Sequence, residues 1–99
     1  MTVTTNDLTG FVAKLTAFVQ STQGYEKASF AINKGSKYAK LVVDYYASGS
    51  GSAYCFVDLA TGDLLKPDGW KKPAKGVRGN IFAANPLAGC TPYGMVYFK

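Results

Sequence analysis

Six apolar residues near the start of the chain, Leu8, Phe11, Val12, Leu15, Phe18 and Val19, recur at intervals of three and four. That spacing draws a single stripe along a helix of 3.6 residues per turn. A stripe so apolar must be laid against something, and the chain holds no second helical pattern to receive it. Thr5 or Asn6 is suited to cap the helix, Asp7 complements the positive end of its dipole, and Gly24 marks the stop.

The rest of the chain reads as sheet. Ser29 to Asn33 is a short strand candidate, ended by Lys34-Gly35-Ser36. In Tyr38 to Ala47, the residues Ala39, Leu41, Val43 and Tyr45 alternate with Tyr38, Lys40, Val42, Asp44 and Tyr46, the period of a half-buried strand. A Ser/Gly-rich tip at 48–52 separates it from Ala53 to Leu59, where Ala53, Cys55, Val57 and Leu59 share a face. Ala60-Thr61-Gly62 is a tight turn in which Gly62 can take the left-handed conformation that a short hairpin needs, and Leu64 and Leu65 return as a short strand. Met95 to Phe98 reads as a final strand. The expected fold is α+β: an N-terminal helix packed on one face of an antiparallel meander of four to five strands, in a single domain spanning 1–99. Specifically, Leu8, Phe11, Leu15, Phe18 and Val19 should meet the face carrying Leu41, Val43, Cys55 and Val57.

A chain of 99 residues that is 47% hydrophobic and only 17% charged has material for one packed core. No run approaches the roughly 18 apolar residues of a membrane-crossing helix. The first residues lack the basic start and apolar stretch of a signal peptide, which sets the expectation of a cytosolic protein. Two cysteines, Cys55 and Cys90, allow one disulfide without demanding it, and Cys55 lies in a strand-like run where a reduced thiol acts as a small hydrophobe.

Charge is unevenly distributed. The net charge is +5, yet in residues 1–65 five lysines (14, 27, 34, 37 and 40) are balanced by Asp7, Glu26, Asp44, Asp58 and Asp63. Residues 66–78 hold Lys66, Lys71, Lys72, Lys75 and Arg78 against Asp68 alone. This segment also carries Trp70, Pro67 and Pro73, and its prolines and glycines argue against a helix or a central strand. Cations bind phosphates, Arg adds a planar fork, and an exposed aromatic stacks on an unpaired base. Lys66, Trp70, Lys71, Lys72, Lys75, Arg78 and Asn80 are therefore the candidate nucleic-acid-binding residues, in a basic Trp-containing loop. The same residues also suit a solvated loop whose Trp70 folds back over the core beneath lysine stems.

Enzymatic chemistry is poorly provided for. The chain has no histidine, the commonest general base, and two separated cysteines cannot complete a structural zinc site. Asp44, Asp58 and Asp63 could meet as a carboxylate cluster, but Asp58 and Asp63 flank a turn where acidic residues serve the turn itself. No glycine-rich phosphate loop ending in Lys-Ser/Thr occurs. Neither an enzyme nor a cofactor is expected. Tyr38 and Tyr46 share one strand face, and Tyr54 and Phe56 share another. Together they make either an aromatic platform for bases or, the preferred reading, a second core layer under residues 81–99.

Residues 54–66, Tyr-Cys-Phe-Val-Asp-Leu-Ala-Thr-Gly-Asp-Leu-Leu-Lys, run into Gly69-Trp-Lys-Lys-Pro-Ala-Lys-Gly-Val-Arg-Gly-Asn80. Over about residues 53–82 this resembles a family of short bacteriophage proteins. In that family a hairpin ending in Thr-Gly-Asp leads to a Trp-Lys-x-Pro-Ala-Lys-Gly-x-Arg-x-Asn motif. The resemblance implies a phage origin and the bacterial host's cytoplasm, and carries over no catalytic residue. It gives weight to roles in phage nucleic-acid metabolism, host takeover or defence evasion. The leading expectation is a non-enzymatic accessory protein that binds nucleic acid, single-stranded and with weak sequence preference. The alternative is an interaction protein that masks an acidic host or anti-phage defence protein.

Overall fold

The computed structural model describes residues 3–49, 51–68, 72–87, 89–91 and 94–95. The helix α1 (Thr5–Gln20) precedes five strands, β1 (Ser29–Lys34), β2 (Tyr38–Asp44), β3 (Ser52–Asp58), β4 (Asp63–Pro67) and β5 (Pro73–Asn80). Each strand pairs antiparallel with the next, so the sheet order β1-β2-β3-β4-β5 is a plain meander. A short ribbon, β6 (Cys90–Thr91) with β7 (Gly94–Met95), comes after it. The fold is α+β, with the helix on one face of the sheet. The final strand expected over Met95 to Phe98 is met only at Met95; residues 96–98 lie outside the described residues.

The cap of α1 sits one residue before the expected position. Thr4 is the N-cap, its hydroxyl accepting from Asp7 N at 3.1 Å, while Asp7 Oδ2 accepts from Thr4 N at 2.9 Å. Asp7 thus closes a reciprocal capping box, which only a cap three residues earlier permits. The helix ends at Gln20, before Gly24, because Ser21 Oγ donates to Phe18 O and Gln20 Nε2 reaches Ala28 O at 2.8 Å. These bonds direct the chain toward β1.

Leu8, Phe11, Leu15 and Val19 are buried in one cluster with Ala39, Leu41, Val43, Cys55, Val57 and Leu64, the alternate residues of β2, β3 and β4. Phe18 packs against that cluster half-buried. The expected match of stripe to strand face is therefore what the protein uses.

Two strand readings change. β2 stops at Asp44 instead of running to Ala47, because the Asp44 carboxylate accepts from the backbone N–H groups of Tyr46, Ser48 and Gly49. A side chain that collects three backbone donors offers the chain a turn in place of the ladder. In β3 the register skips Tyr54: Leu41 faces Cys55, but Val42 faces Ala53. This β-bulge turns Tyr54 into the same buried cluster as the helix residues, its ring edge-on to Phe30 at 5.4 Å. Tyr54 OH also donates to Thr91 O at 2.6 Å, fastening the β6 segment to β3.

The tyrosine platform is consequently not assembled. Tyr46 lies beyond β2, 64% exposed, with its ring against Tyr25 at 5.7 Å. Of the four aromatics, Tyr38 and Phe56 stay together, edge-on at 6.3 Å.

Candidate nucleic-acid interface

The segment expected to be a loop is largely strand. β4 and β5 form a hairpin at the edge of the sheet, with Asp63 opposite Asn80, Leu64 opposite Gly79, Leu65 opposite Val77 and Pro67 opposite Pro73. Two register shifts interrupt it, between Leu64 and Leu65 and between Leu65 and Pro67. These irregularities, with prolines at the two strand ends, explain why alternation is lost in the sequence. An edge strand tolerates proline and bulges where a central one does not. Asp68 N donates to Lys72 O at 2.8 Å, which closes the hairpin loop.

The cations are held differently along this element. Lys66 is half-buried on β4, and Lys72 and Lys75 are exposed. Lys72 Nζ lies 3.9 Å from Asp68 Oδ2, both side chains well over half exposed, a surface pair worth at most about 1 kcal/mol. Such a pair yields readily to a phosphate. Arg78 is half-buried, and its Nη1 donates to Gly76 O at 2.7 Å and Lys75 O at 3.2 Å. Gly76 makes that possible with φ of +97°, a left-handed conformation that L side chains rarely adopt. Trp70 and Lys71 lie outside the described residues.

Asn80 serves the hairpin itself. Its Nδ2 donates to Thr61 O at 3.0 Å and to Asp63 Oδ1 at 2.9 Å, and its Oδ1 accepts from Phe82 N at 2.8 Å. The carboxamide is spent on holding the β3–β4 turn to the end of β5. The structure therefore brings Lys66, Lys72, Lys75 and Arg78 onto one two-stranded edge and gives Asn80 a structural part.

One contributor has almost no linear signature. Gly89 passes so close to the backbone of Arg78 that a β-carbon there would overlap the Arg78 carbonyl. A glycine before a buried cysteine, Gly89-Cys90, is the only trace of this close approach along the chain.

The remaining carboxylates and thiols have structural surroundings. Asp44 caps its loop, Asp58 Oδ1 accepts from Ala60 N at 2.8 Å, and Asp63 accepts from Asn80. Among the described residues no group of three potential ligands is gathered for a metal. Burial, with the neighbouring Cys90 thiol, pushes the Cys55 thiol well above the ordinary thiol range, and burial pushes Cys90 up to about 11. Both are buried thiols, protonated at neutral pH, a state unsuited to nucleophilic attack. Among the described residues no helix is long and apolar enough to cross a membrane.

No curated protein and no solved structure matches the chain. A family model, described as a family of unknown function (DUF7717), matches residues 4–91, and the chain belongs to that family.

Proposed function

We propose that this is a non-enzymatic protein that binds single-stranded nucleic acid through the β4–β5 hairpin. Lys66, Lys71, Lys72, Lys75 and Arg78 supply phosphate contacts, with the Trp70 ring as a stacking group. The observation that carries this reading is the concentration of four of the five net positive charges on one edge hairpin. The sheet anchors both strands of that hairpin, so little order has to be gained when a strand is bound. Weak sequence preference follows from contacts made to phosphates and ring faces, since neither carries base identity. A phage origin, and with it the host cytoplasm, belongs to the same reading through the motif at residues 53–82.

One observation favours a second reading, the masking of an acidic host or defence protein. Val77 is 46% exposed on the edge strand, and an apolar residue among cations suits a protein surface better than a phosphate backbone. Anisotropy titration at low salt with single- and double-stranded DNA and RNA tests the primary reading. Binding with a Kd below about 100 μM that weakens with salt supports it, and no binding in that range overturns it. Pull-down from nuclease-treated host lysate separates the two readings: recovery of a stoichiometric protein favours the second.

A further inference from the structure

Within the balanced charges of residues 1–65, three lysines gather at one end of the sheet. The β1–β2 turn brings Lys34 and Lys37 to the same end of the sheet as the start of β2, where Lys40 lies. Gly35 N donates to Tyr38 O at 2.8 Å, so the turn is tight; a β-carbon at Gly35 would crowd that carbonyl at 3.1 Å. Around it lies an open groove of about 740 Å³ lined by Lys34, Gly35, Lys37, Tyr38, Lys40 and Phe56, with no acid among the described residues of its wall. The nearest acid by register is Asp58, opposite Tyr38, and its Oδ1 accepts from the backbone of Ala60. Lys37 Nζ stands 5.3 Å from the centroid of the Tyr38 ring, so cation and aromatic surface come as one unit. Phe56, nearly wholly buried and edge-on to Tyr38, forms the floor.

We propose that this groove is a binding site for a nucleotide unit, its phosphate held by Lys34 and Lys37 and its base set against Tyr38. The groove is open to solvent, and its space is far more than a lone phosphate fills. Ammonium groups beside an aromatic wall match the two halves of a nucleotide, an anion and a flat ring. The site is separate from the basic hairpin. β2 and β5 are three strand spacings apart, and the β1–β2 turn and the β4–β5 loop are at opposite ends of the sheet. The two places are on the order of 20 Å apart, beyond the reach of one nucleotide. The nucleotide can be free or part of a strand; the recognising chemistry is the same.

Backbone amide NMR shifts of the full chain, titrated with dTMP and separately with a twelve-residue oligo-dT, test the site. Shifts at residues 33–38 with dTMP support the site for a free nucleotide. Shifts there with oligo-dT alone support it for a nucleotide within a strand. In either case Lys34→Glu/Lys37→Glu should weaken binding at these amides by at least about fivefold, and Tyr38→Leu should weaken it while leaving the lysines in place. Lys27→Glu, an exposed cation outside both sites, should leave the dTMP shifts at residues 33–38 unchanged. The proposal is overturned if neither probe moves residues 33–38, or if the shifts persist undiminished in Lys34→Glu/Lys37→Glu. Oligo-dT shifts confined to the β4–β5 hairpin, with no dTMP shifts at residues 33–38, would sink this site and leave the hairpin reading standing. Shifts confined to the groove would do the reverse.

Discussion

Asn80 donates its side-chain amide to Asp63 Oδ1 at 2.9 Å, across the register pair that begins β4 and ends β5. With the bonds to Thr61 O and from Phe82 N, this one carboxamide joins the β3–β4 turn, the edge strand and the segment after it. Asn80→Ala should therefore destabilise the fold by about 1–2 kcal/mol, the usual cost of leaving such partners unmatched. The midpoint of urea unfolding measures it. A midpoint equal to wild type would mean that the hairpin is held by its backbone ladder alone.

Leu15 is fully buried where α1 crosses the sheet. Leu15→Ala should cost about 2–5 kcal/mol, much of the 5–15 kcal/mol available to a small domain. Lys75→Ala, on an exposed position, should stay within about 0.5 kcal/mol. Chemical denaturation of the two variants side by side checks the docking of the helix.

These two predictions draw on different kinds of legibility. The helix stripe, the alternation of β2 and the left-handed Gly62 (φ +81°) could be read directly, because each depends on local period or local sterics. The bulge at Tyr54 could not, since it is a property of the pairing between β2 and β3 and leaves the linear alternation intact. The early end of β2 was hidden for a related reason: Asp44 sits in phase with the strand, and only its reach to Ser48 and Gly49 ends it. The basic hairpin was legible as composition but not as strand. The lysine group at the β1–β2 turn was hidden in the running charge by the acids of residues 1–65, of which Asp58 faces Tyr38 but lies outside the groove wall.

Asp44 gives a pH dependence with a definite sign. Hydrogen bonds from the backbone of Ser48 and Gly49 lower its pKa below the ordinary 3.8. The folded state thus favours the carboxylate, and the stabilisation is fully present above 3.8. It is lost as pH falls through the lower folded value. Wild type should unfold at higher denaturant than Asp44→Ala at pH 6, and the gap should close on acidification below pH 3.8. A gap independent of pH would contradict the role of the ionised cap.

Both thiols should be inert until the protein unfolds. Cys55 is completely buried and the Cys90 thiol is pushed up to about 11 by burial. A chromogenic thiol reagent at pH 8 should label neither within the time that labels both in denaturant. Rapid labelling of the native protein would show that the β6 segment does not cover β3 as described.

On the reading proposed above, the edge hairpin binds single-stranded nucleic acid through its cations. The most direct measurement is fluorescence anisotropy of labelled twelve-residue oligo-dT across a salt series, for wild type and for Lys72→Glu/Lys75→Glu. Wild type should bind with a log–log salt slope of magnitude about 3.5, as five phosphate contacts to a single strand require. The double variant should bind at least about tenfold more weakly, with a shallower slope. Equal affinity and equal slope for the two proteins, or no binding by wild type below about 100 μM, would contradict the claim.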